Sequence, residues 1–112
     1  MNANQLMQHI DEAAAKQKAN LVAVAQVVGD FDGYSSDAAG DRVHLHTRGD
    51  WLSLVRRLYR AGCKIQTRRV SPYSDKDRRG WITLGFTVSG VPVKLYADVP
   101  DFTRFLKPGA TC

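Results

Sequence analysis

The chain has 112 residues, 44% hydrophobic and 24% charged, with a net charge of +5 and two cysteines. These values fit one folded domain and exclude a disordered chain, a disulfide scaffold and a membrane-spanning helix. The charge is unevenly spread: residues 1–41 hold two bases against six acids, whereas residues 42–112 hold fourteen against five, a net of +9.

In chain order, residues 3–18 read as a helix. Leu6, Ile10 and Ala14 recur at helical spacing, with Met7 and Ala13 beside them, and Asn2 or Asn4 is placed to cap the start. Asp11, Glu12, Lys16 and Lys18 occupy the stretch where the apolar part of a secretory signal would lie, so none is expected. Asn20 reads as a stop. Residues 21–28 are short and valine-rich, which predicts a strand, although Leu21, Val24 and Val28 also fit a continuing helix.

Residues 29–41 are a loop marked by Gly29, Gly33 and Gly40, long enough to be either mobile or used. Asp30, Asp32, Ser36 and Asp41 mimic calcium-loop positions, but Ser35 replaces the required glycine and Asp41 the bidentate Glu. A strand follows over 42–47, then a helix over 50–61 with Asp50 as its N-cap. Trp51, Leu52, Leu54, Val55, Leu58 and Tyr59 share one arc of that helix and Ser53, Arg56, Arg57 and Arg60 the other; Gly62 ends it. Leu54, Val55 and Leu58 are expected to be buried.

Residues 63–70 are expected to form the next strand and 71–80 a loop. Strands 81–88 and 91–98 join through Ser89-Gly90, a two-residue hairpin turn. In that register Val88 faces Val91, Phe86 faces Val93, Leu84 faces Leu95 and Ile82 faces Ala97, all apolar. Residues 101–106 read as a short terminal helix. The fold class is α+β: one domain over 1–112, a mostly antiparallel sheet of four or five strands, two main helices on one face and a short C-terminal helix.

Alternation then gives the face that the helices leave open. It presents Arg42, His44, His46 and Arg48 beside buried Val43 and Leu45. On the following strands it presents Lys64, Gln66 and Arg68 beside buried Cys63, Ile65 and Thr67, then Trp81, Thr83 and Thr87, then Lys94 and Tyr96. Cations and rings on a sheet suit single-stranded nucleic acid, although a solvent-facing sheet is polar in any case and paired rings shield each other. The signature of an RNA-recognition motif is absent. Arg56, Arg57 and Arg60 add a helix patch, and Arg78 and Arg79 a basic loop tip.

His44 and His46 share a face, but a third ligand would have to come from His9, Asp98 or the acidic loop and no CxxC or HExxH pattern occurs, so neither a metal nor another cofactor is expected. Cys63 reads as packing, the serines lack a nucleophile elbow, and no nucleotide fingerprint occurs; an enzyme is not expected. The chain is similar in style to small accessory proteins of phages and plasmids, a resemblance of size and charge that rests on no motif. The expectation is a cytoplasmic, non-enzymatic module that docks on a protein complex, for example as a small inhibitor. The alternative is a nucleic-acid binder. The acidic loop and first helix favour a protein, because a pure polyanion binder gains nothing from them. No membrane partner is expected, and the oligomeric state is left open.

Overall fold

The computed structural model describes residues 1–29, 31–47, 50–73 and 78–101. Its elements are α1 (Ala3–Val28), β1 (Tyr34–Ser36), β2 (Val43–Thr47), α2 (Trp51–Arg60), β3 (Thr67–Pro72), β4 (Gly80–Val88) and β5 (Val91–Val99). The strands form one sheet in the order β1-β2-β5-β4-β3. β2 and β5 run parallel and the other three pairings are antiparallel. The class is α+β as expected; the expected C-terminal helix at 101–106 falls almost wholly outside the described residues. Among the described residues no helix is long and apolar enough to cross a membrane.

The β4–β5 hairpin has the register its sequence predicts, with Val88 opposite Val91, Phe86 opposite Val93, Leu84 opposite Leu95 and Ile82 opposite Ala97. Ser89 and Gly90 both take positive φ, 50° and 80°, so the turn twists with its strands. These apolar pairs meet Val43 and Leu45 from β2, Leu54, Val55 and Leu58 from α2, and Val24 and Val28 from α1 in one buried core. Both helices therefore pack on the same side of the sheet.

Three expectations are corrected. The predicted strand at 21–28 is the second half of α1. Valine favours strands, but Leu21, Val24 and Val28 align on one helical stripe, and burial of that stripe outweighs propensity. Asn20 does not stop the helix; its side-chain amide donates to the Gly40 carbonyl at 2.5 Å. The start is capped by Asn2, whose side chain accepts from the Gln5 N–H at 2.9 Å while the Gln5 side chain accepts from the Asn2 N–H at 3.0 Å.

The 29–41 segment is the second correction, since it contains β1 instead of being loop throughout, and it is tied to α1. Gln17 donates from its amide to the carbonyls of Asp37 and Ala38, both at 3.0 Å, and Lys16 pairs with Asp41. Gly33 passes so close to the His46 carbonyl that a Cβ would collide with backbone.

The third correction concerns β3, which begins at Thr67 and not at Cys63. Residues 63–66 connect α2 to it, and the alternation loses its phase there. The N–H of Gln66 donates to the Gly85 carbonyl at 2.8 Å, yet Gly85 pairs with Thr67. Thr67 is consequently exposed, and Cys63 and Ile65 are only half-buried.

α2 is capped as its sequence predicts: the Asp50 carboxylate accepts from the Ser53 N–H at 3.1 Å. Leu54, Val55 and Leu58 are buried, whereas Leu52 and Tyr59, together at one edge of the apolar arc, remain about half exposed at 48% and 49%. Leu84→Ala or Phe86→Ala is expected to lower the unfolding free energy by about 2–5 kcal/mol in urea titrations. Asp50→Ala is expected to lower it by about 1 kcal/mol through the lost cap. A melt of the Asp50 variant that matches wild type, with Leu58→Ala destabilised alongside, would remove the capping assignment.

Candidate functional site

The helix-free side of the sheet gathers the chemically distinctive side chains. The pairings place His44 beside Lys94, His46 beside Tyr96, Tyr96 beside Thr83, and Asp98 beside Trp81. Directly opposed residues share a face, so these groups form one surface across β2, β5 and β4.

At its centre three rings stack. Tyr96 lies 5.5 Å from His44 and 5.0 Å from His46, ring centre to ring centre, with planes within 28° and 12°. His46 Nε2 lies 3.1 Å from the Ser35 hydroxyl on β1, and His44 Nδ1 lies 3.1 Å from the Tyr96 hydroxyl. Burial pushes the His44 imidazole below its ordinary range, with His46, Arg42 and Lys94 adding to the effect and Asp37 opposing it. Trp81 packs against Tyr73 at 5.1 Å, and the Tyr73 hydroxyl donates to the Asp98 carboxylate.

Two hollows flank this ridge. One, of about 1100 Å³, is bordered by Phe31, Asp32, His46, Asp50 and Asp98; the other, of about 490 Å³, by Thr67, Arg68, Arg69, Thr83 and Lys94. Trp81 and Tyr96 line both. Among the described residues, the first lining carries three carboxylates and no Lys or Arg, and the second carries three cations and no carboxylate. The arrangement can therefore receive groups of opposite charge on the two sides of one aromatic ridge.

The expected binding set divides accordingly. His44, Trp81, Lys94 and Tyr96 are brought together, all half-buried rather than fully open. Arg42 is exposed just before β2, and its N–H donates to the Asp37 carboxylate at 3.1 Å. Lys64 is exposed but precedes β3, outside the sheet. Arg48 lies outside the described residues. Arg68 was expected at an open-face position, but it sits opposite Leu84, at a core-side position of an edge strand, and still borders the basic hollow; Arg69, opposite Thr83, takes the open-face register position. The shifted start of β3 is the cause. Alternation counted from Thr67 gives Arg69.

Arg56, Arg57 and Arg60 are exposed on α2, in the helix layer on the other side of the sheet. Arg57 is also committed elsewhere, donating to the Val28 carbonyl at 3.1 Å. A cation at the C-terminus of α1 satisfies a free carbonyl and complements the helix dipole. Arg78 lies 4.0 Å from Asp101, and the Arg79 carbonyl accepts from the Tyr73 N–H at 3.0 Å. The Asp32, Asp50 and Asp98 grouping escaped sequence reading, because it joins a loop, a helix cap and a strand end. The alternation signal for Asp98 was nonetheless present, two residues beyond Tyr96.

Among the described residues no group of three or more His, Cys, Asp or Glu side chains is placed to hold a metal ion. His44 and His46 stack on Tyr96 instead of converging.

The depressed His44 pKa gives a signed pH effect. As pH falls through about 6.5 the unfolded chain takes up a proton that the folded chain resists, so stability falls on acidification and is full above that range. His44→Gln is expected to flatten the urea midpoint between about pH 7 and pH 5 relative to wild type. An equally steep loss in both proteins would show that His44 is not the group responsible.

No family model, curated protein or solved structure matches the chain.

Proposed function

We propose that the chain is a non-enzymatic module that docks on a protein, gripping it across the open face of the sheet. The observation that carries this reading is the pairing of an acidic and a basic hollow around the shared rings of Trp81 and Tyr96. A nucleic-acid backbone has one sign of charge along its length and would meet Asp32 and Asp98 as repulsion. A polypeptide segment offers both signs, with apolar side chains between them to cover the rings. Tyr, Trp and Arg are also the residues that most often dominate protein interfaces.

The form of this reading that suits so small a chain is an inhibitor or adaptor bound to a larger complex. The same proposal includes a cytoplasmic location, supported by the free Cys63 thiol. The α2 arginines are left out of the primary contact, because they lie on the opposite layer.

The test is affinity capture from nuclease-treated host lysate, with wild type, Trp81→Ala and Tyr96→Ala compared and the bound species identified by mass spectrometry. A protein is expected to survive nuclease treatment and to be lost with either variant. Once that partner is purified, each truncation should weaken binding by about 30-fold, or 2 kcal/mol. Fluorescence anisotropy with labelled RNA and DNA forms the second arm. Oligonucleotide binding that falls steeply with salt and is lost in Trp81→Ala would replace this proposal with the nucleic-acid reading.

A further inference from the structure

The described residues leave the first half of α1 uncovered. Residues 1–12 are all exposed, and the helix first becomes partly covered at Ala13. Further along, Val22 is 50% exposed, as Met7 is 54% exposed, although both are apolar and lie on a regular helix. At 100° per residue Met7, Asp11, Ala14, Ala15, Lys18 and Val22 fall within an arc of about 100°. All six are exposed, so this arc faces away from the body of the molecule.

Read along the helix, the arc runs apolar, acidic, small, small, basic, apolar. The order is complementary to itself when reversed. Laid antiparallel on a second copy, Met7 meets Val22, Asp11 meets Lys18, and Ala14 meets Ala15, each pair occurring twice about a two-fold axis. Among the described residues Asp11 and Lys18 have no ion pair within the chain, in contrast to Lys16, which is held by Asp41. A parallel arrangement would set Asp11 against Asp11 and Lys18 against Lys18, so charge selects the direction.

We propose that α1 is a self-association surface, pairing antiparallel with α1 of a second copy about an axis between Ala14 and Ala15. The two alanines allow close approach of the helix backbones at the crossing. The seam spans residues 7–22, about 24 Å of helix. At a helix width of about 10 Å the seam presents about 240 Å² per partner, less than the roughly 800 Å² of a standard stable complex, so the dimer is weak and depends on concentration. This surface is separate from the open sheet face.

Sedimentation equilibrium of the full chain up to about 500 µM tests the proposal, with a dissociation constant expected on the order of tens of micromolar. Asp11→Lys alone and Lys18→Asp alone should each weaken the dimer at least about tenfold, since attraction becomes repulsion at two symmetric sites. The double variant Asp11→Lys/Lys18→Asp should return to within about threefold of wild type, because the pairs are restored in reverse. Circular dichroism confirms that each variant is folded. In a background with Cys63 and Cys112 replaced by Ser, Met7→Cys/Val22→Cys should form a covalent dimer on oxidation, and Met7→Cys alone should not. A chain that stays monomeric throughout, a double variant as weak as the singles, or efficient cross-linking through Met7→Cys alone would each overturn the proposal.

Discussion

The register of the β4–β5 hairpin is the constraint on which the rest of the molecule depends. Its two-residue turn fixes the pairing, and side chains alternate strictly from there. Ile82, Leu84 and Phe86 thereby meet Ala97, Leu95 and Val93 on the core side, while Trp81, Tyr96 and Asp98 are delivered together to the other. A slip of one residue would invert both faces. β2 and β3 add on either side of this ribbon, and both helices cover the apolar face that it presents.

The legible parts of the fold were those set by local chemistry. The Ser89-Gly90 turn, the Asp50 cap and the α2 stripe each have their cause within a few residues. The hidden parts have causes far away in sequence. Residues 21–28 favour a strand by composition and become helix because Val24 and Val28 reach a sheet made of later segments. Asn20 has the look of a helix terminator until its amide partner, the Gly40 carbonyl, is in place. The start of β3 depends on which residue opposes Gly85, and that decides which of Arg68 and Arg69 takes the open-face register position. His44, Trp81, Lys94 and Tyr96 were legible through strand alternation. Asp32 and Asp50 joined their surroundings only through topology.

The charge asymmetry of the sequence takes on a spatial meaning in the fold. The basic excess of residues 42–112 is not one patch: the α2 arginines lie behind the sheet, and one of them closes the end of α1. Among the described residues, the cations that remain on the open face stand beside carboxylates, and that mixture itself has chemical content. A surface of mixed sign around half-buried rings discriminates by the order of charges along a partner, which net attraction alone does not.

The parallel pairing of β2 with β5 carries a kinetic consequence. Each of its partners, from Val43 with Val93 to Thr47 with Ala97, is separated by fifty positions along the chain. The β3–β4–β5 meander closes through far shorter loops, so its entropic cost of assembly is met first. Until β2 arrives, the β5 edge offers unpaired backbone groups along an apolar strand. During synthesis, however, β2 and α1 emerge before the hairpin exists, and they wait with their valines and leucines uncovered. The last strand among the described residues is thus the central one of the sheet, and the core closes only once the β4–β5 hairpin has been made.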